Sequence, residues 1–164
     1  MSTEGIKRFD RILALLNETQ RAAERLLNAL YDERNALRDD DSDALSSCVS
    51  RKKMHLDALE KLGHSRQAML AADDVEDTMQ GMTSYVRRND RDGALEAVWS
   101  KVIALLSECR EANNGNGIII ASQQKQKQEA LRVMRGQDGT SDTETYNPDG
   151  KADTTGQYRA LAEV

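Results

Sequence analysis

The sequence predicts an all-α protein: an elongated antiparallel helical bundle or coiled coil of three main helices plus one short helix, followed by a disordered acidic C-terminal tail. Three observations predict it. Charged residues make up 31% of the chain and aromatics only 4%, and proline occurs once, at Pro148. Such a composition favours long helices over sheets, which need more β-branched and aromatic residues. Apolar residues recur at four-and-three spacing over long stretches, the period of a helix that buries one face. Polar turn sequences at Asp39–Asp43 and Asn89–Gly93 punctuate those stretches.

The first periodic segment runs from about Thr3 to Arg38. Ile12, Leu16, Thr19, Ala23, Leu26, Leu30, Glu33 and Leu37 form its seam, and Phe9, Leu13, Leu27 and Tyr31 widen it. Without Gly or Pro between Ile6 and Arg38, the helix would be about 50 Å long. Asp39-Asp40-Asp41-Ser42-Asp43 then breaks the pattern. As a calcium loop it fails where Ala44 replaces the turn Gly and Ser50 the bidentate Glu. A short turn with an N-cap fits better, acids being favoured at the positive end of the next helix.

The second helix is expected from about Ala44 to Ala72, with Leu45, Cys48, Val49, Met54, Leu56, Leu59, Leu62, Met69 and Leu70 as its apolar face. Gly63 interrupts it, as a close helix approach or a kink would. A short helix over Val75–Arg88 follows, capped by Asp73-Asp74 and containing Gly81. The last helix starts near Ala94. Leu95, Trp99, Val102, Leu106, Cys109, Asn113, Asn116, Ile120, Gln123, Lys127, Ala130 and Met134 keep four-and-three spacing. Locally, Asn113-Asn114-Gly115-Asn116-Gly117 reads as a turn; the period reads straight through it. Lys125, Lys127, Arg132 and Arg135 suit the negative end of that helix, and Gly136 suits a C′ position.

Past Gly136, Gly, Asp, Ser, Thr and Asn take over. The chain therefore divides into a helical bundle domain over residues 1–135 and a flexible acidic tail over 136–164. The tail holds six acids against two bases, a net −4 of the chain's −5. No basic stripe exists to release counterions from nucleic acid, so no nucleic-acid partner is expected. The N-terminus lacks an apolar signal segment and no run approaches about 20 apolar residues, so a cytoplasmic protein without stable membrane insertion is expected. Cys48 and Cys109 are spaced for neither zinc nor redox chemistry, and His55 and His64 do not share a helical face at metal spacing. With no nucleophile–base set and no phosphate loop, the sequence predicts neither metal, cofactor nor catalytic residues.

Two features exceed the needs of a plain bundle. Asn113 and Asn116 occupy seam positions and are followed by Ile118-Ile119-Ile120, three isoleucines that one helix face cannot bury together. Thr145-Tyr146-Asn147-Pro148-Asp149-Gly150 sets a lone aromatic in a polar tail, where a solvated turn is the simpler reading. Together with Ala130-Leu131, these segments resemble the C-terminal half of the FlgN family of flagellar export chaperones. That family carries an Asn, two residues, Asn-Gly and an apolar group on its last long helix, then Ala-Leu, then a Tyr-Gly-x-Asp-Gly tail. Asn147 departs from the family's Gly. Lys52, Leu56, Leu59, Arg66, Met69 and Leu70 also match the family in residue type.

The resemblance implies a small cytosolic helical protein that binds hook-associated proteins, prevents their premature assembly and delivers them to the flagellar type III export gate. It implies client binding by Asn113, Asn116, Gly117, Ile118, Ile119, Ile120, Ala130 and Leu131. It implies export-gate docking by Tyr146, Pro148, Asp149 and Gly150. A free protein with such an apolar surface is expected to self-associate as a homo-oligomer or to occlude it. The competing reading is a structural coiled-coil adaptor without a chaperone role. A phosphorelay module would need an exposed His in a recognisable frame, which His55 and His64 lack.

Overall fold

The computed structural model of the chain describes residues 3–136. It holds four helices, α1 (Thr3–Arg38), α2 (Ser42–Ala71), α3 (Met79–Asn89) and α4 (Ala94–Met134), with no strand among the described residues. The chain divides into two compact units, Met1–Gln123 and Gln124–Val164, and α4 contributes residues to both. The four docking residues expected at Tyr146, Pro148, Asp149 and Gly150, and the tail after Gly136, lie outside the described residues.

Within the first unit the turn after α1 follows the N-cap expectation. The Asp41 carboxylate accepts from the backbone N–H of Asp43 and of Ala44 at 3.1 and 2.9 Å, which satisfies donors that the first helical turn leaves open. The helix over Ser42–Ala71 makes α1 and α2 neighbours running in opposite directions. Asp32 and Glu33 pair with Arg51 and Lys52 near the turn. Farther down, Leu16 and Thr19 face Leu62 and Gly63 across a cavity of about 90 Å³. Gly63 marks no close approach, because a Cβ there would meet nothing within 4 Å, and α2 continues through it. Of the expected apolar face of α2 only Cys48 and Leu70 are buried, and Val49, Met54 and Leu56 are exposed.

The segment after α2 differs from the expected helix over residues 75–88. Thr78, not Asp73-Asp74, caps α3; its hydroxyl accepts from the Gly81 N–H at 3.0 Å. Asp73 is engaged elsewhere, accepting from the Tyr85 hydroxyl at 2.5 Å and pairing with Arg8 at 3.1 Å. Gly81 permits the turn, since a Cβ there would collide with the Glu76 carbonyl oxygen. Asp90 performs the corresponding task for the last helix, accepting from the N–H groups of Leu95 and Glu96.

The main core lies where α1, α3 and the start of α4 meet the end of α2. Ile12, Leu16, Leu70, Met82, Tyr85, Val86, Leu95, Trp99 and Val102 form it. The Trp99 indole N–H donates to Thr83 Oγ1 at 3.1 Å, which satisfies the one polar group that this large side chain buries. A second cluster joins Leu26, Leu27 and Leu30 of α1 to Cys109 and Ala112 of α4.

The described part of the second unit is the end of α4. Gly136 adopts φ +67 and its N–H bonds to the Val133 carbonyl at 3.0 Å, the C′ geometry expected of it. Ala130, Leu131, Val133 and Met134 are all exposed.

Candidate functional site

The helix α4 runs unbroken through Asn113–Gly117. Period prevails over local turn propensity there, and the reason lies on α1. Three of the bonds that join α4 to α1 reach a residue 86 positions earlier: Cys109 Sγ to the Ala23 carbonyl, Asn116 Nδ2 to the Leu30 carbonyl and Gln123 Nε2 to the Leu37 carbonyl. A constant offset means that α1 and α4 run parallel and in register. The three donors stand seven residues apart, the repeat of a coiled-coil seam.

The middle rung is a network across three helices. Glu33 is 1% exposed. One of its oxygens accepts from Lys52 Nζ at 2.6 Å, and the other accepts from Asn116 Nδ2 at 2.8 Å. Asn116, equally buried, also receives Arg34 Nε on its carbonyl oxygen at 3.1 Å. Arg34 Nη2 reaches on to the Ala112 carbonyl at 3.3 Å. The amide of Asn116 thus uses donor and acceptor sides at once, and among the described residues no buried side-chain polar atom is left unpartnered.

Arg34 also accounts for Gly115. A Cβ on Gly115 would stand 2.8 Å from Arg34 Nη2, so the guanidinium lies where a side chain would otherwise be. Gly117 has no such neighbour, with open space around its Cβ position. The next residue, Ile118, is 72% exposed, while Ile119 and Ile120 are half-buried. Burial pushes the Cys109 thiol above its ordinary range, with the charge of Glu108 adding to it, so the thiol stays protonated and able to donate.

The structure separates the residues expected to bind a client. Asn116 is a buried joint between helices; Asn113, Gly117 and Ile118 are exposed on the first unit's part of α4; Ala130 and Leu131 are exposed in the second unit. The three isoleucines divide as one helix surface must divide them, Ile118 to solvent and the other two partly inward. Sequence reasoning did not join Glu33, Arg34 and Lys52 to Asn116 in one network, nor pair Gln123 with α1. The available signal was polar residues at seam positions seven apart, Cys109, Asn116 and Gln123, together with the seam acid Glu33. Among the described residues no cluster of three or more His, Cys, Asp or Glu could hold a metal ion, and no helix is long and apolar enough to cross a membrane.

Comparison with known proteins gives one family. The model of the FlgN protein family matches residues 1–154. No curated protein and no solved structure matches the chain.

Proposed function

The chain belongs to the FlgN family, a family of flagellar export chaperones and not of enzymes, and from that premise we propose that it binds hook-associated proteins in the cytoplasm and delivers them to the type III export gate. The family match carries the chaperone role. Ile118 supports the location of the client surface. A large apolar side chain held in solvent beside the open Gly117 position stabilises nothing within the chain, and a client's amphipathic helix can approach the backbone closely there. Asn113, Asn116, Gly117, Ile119 and Ile120 complete the proposed client surface on the first unit, Asn116 from the buried side of α4, and Ala130 and Leu131 are proposed as client contacts of the second unit. Free protein self-associates through this surface or covers it.

The proposed gate contact is the peptide around Tyr146, with Pro148, Asp149 and Gly150. An aromatic anchor beside a proline loses little entropy on docking.

The test is capture of purified hook-associated proteins by the full chain. Ile118→Asp is expected to reduce capture about tenfold or more, from the loss of one buried isoleucine, with helicity unchanged by circular dichroism. Tyr146→Ala is expected to leave capture intact while weakening gate binding and motility. A wild-type chain that captures no hook-associated protein would favour the adaptor reading instead.

A further inference from the structure

We propose that the face of α1 beneath residues 112–123 of α4 is a latent docking surface, occupied in the free protein by α4 itself and taken in the loaded protein by an amphipathic helix of the client. The inference rests on the chaperone reading for the identity of that helix.

The seam between α1 and α4 changes character along its length. From Leu95 to Ala112, α4 buries Leu95, Trp99, Val102, Cys109 and Ala112. Beyond Ala112 the only buried residue of α4 is Asn116, and Ile119, Ile120 and Gln123 are half-buried. Apolar burial has no substitute in water, whereas a side-chain hydrogen bond exchanges for one to water at nearly equal free energy. The upper segment also contains Gly115 and Gly117, each unfavourable in a helix. Residues 112–123 are therefore the part of α4 that leaves α1 most readily.

The surface left behind has a defined chemistry. Leu30, Ala36 and Leu37 of α1 are buried at this level, with Glu33 among them. The carbonyl oxygens of Leu30 and Leu37 and the Glu33 carboxylate receive bonds from α4 and donate none. An apolar strip lined with acceptors selects a helix whose apolar face carries donors at seven-residue intervals: side-chain amides, as in α4, or a cation opposite Glu33. A purely apolar helix would strand the carboxylate when Lys52 alone remained to pair with it. The occupant is thus an amphipathic helix with Asn or Gln spaced seven apart, which imitates α4.

A labelled peptide copying residues 105–123 serves as the probe, added to the full-length chain and followed by fluorescence anisotropy. The peptide is expected to bind, and Asn116→Ala in the chain is expected to tighten binding about fivefold by weakening the internal competitor. Gln123→Ala, at the half-buried end of the seam, should act in the same direction and serves where Asn116→Ala does not fold. Leu in place of both amides in the peptide should weaken it. Hydrogen exchange should show amides 113–123 less protected than 95–109 before peptide is added. Unchanged or weaker peptide binding to both variants would overturn the proposal. So would dimers formed by the variants in place of peptide binding, which would make the occupant a second copy. Hook-associated protein that binds the wild type but does not compete with the peptide would refute the latent surface and leave the chaperone reading intact. Peptide binding without capture of any hook-associated protein would do the reverse.

Discussion

Two stretches of α4 lie on the same helix and keep the same seven-residue repeat, yet they are held by different forces. Over Ala94–Cys109 the helix is fixed by Leu95, Trp99 and Val102 in the main core. Over 112–123 it is fixed by amide bonds to the Leu30 and Leu37 carbonyls and by the Glu33–Lys52–Asn116–Arg34 network. Apolar packing is strong and indifferent to small displacements. Directed bonds are weaker and hold only in one register. One helix thus combines a part that gives adhesion with a part that gives alignment, and the second can detach without dismantling the first.

The largest effect should come from the adhesive part. Leu95→Ala is expected to cost about 2–5 kcal/mol of unfolding free energy by chemical denaturation. Asn116→Ala should cost about 1–3 kcal/mol, mostly the penalty of leaving buried partners unsatisfied, with faster hydrogen exchange confined to residues 112–123. Equal costs would erase the distinction between the two stretches. The double change Glu33→Met with Asn116→Leu sharpens it further. Replacing the two fully buried members of a polar set by apolar residues is often neutral or stabilising when the remaining half-buried cations, here Lys52 and Arg34, can turn to solvent, so melting temperature should hold or rise. Alignment should suffer instead, seen as multiple or broadened amide resonances over 112–123. A single sharp set would show that the network is dispensable for register.

The glycines offer a smaller contrast. Gly117→Ala should gain about 1 kcal/mol from helix propensity, nothing standing near its Cβ position. Gly115→Ala should gain nothing, because Arg34 must move off the Ala112 carbonyl to make room. A further contrast concerns pH in the adhesive part. Burial first, then the bond to Asp73, raises the Tyr85 phenol from 10.0 to about 12. The folded state therefore holds this proton after the unfolded chain has released it, and the contribution is complete below pH 10 and lost as pH rises towards 12. Tyr85→Phe should flatten the stability profile in that window; an unaltered slope would assign alkaline loss to other groups.

Much of the fold was legible because long helices write their period into the sequence. The seam positions Ile12, Leu16, Ala23, Leu26, Leu30 and Leu37 are all buried, and Asp41 and Gly136 stand at the helix ends that their chemistry favours. The fate of Asn113–Gly117 was not legible locally, since what steadies it is Arg34, 82 residues away from Asn116. The start of α3 was misplaced for a similar reason: Asp73 serves Tyr85 and Arg8 rather than a helix end. Within the candidate site, three consecutive isoleucines on one helix require that they not all be buried, but the run alone does not single out Ile118 as the exposed one. The burial of Asn116 was not legible either, because a polar residue at a seam position can equally mark a functional surface or an internal joint. Only its partners decide between them.

The common offset of 86 residues also limits how such a chain can change length. Deleting one residue between Cys109 and Gln123 would turn the later donors by about 100° and draw them back about 1.5 Å, away from their carbonyls. A matched deletion in α1 between Ala23 and Leu37 would restore the pairing. Removing seven residues from α4 alone would keep the facing but shift each rung to its neighbour, setting Gln123 opposite Leu30 and Glu33. Insertions in the turns at 39–41, 72–78 and 90–93 leave every rung where it was. Related chains should therefore differ in length at those turns and beyond Gln123, and agree in spacing over the rungs even where the residues themselves have diverged.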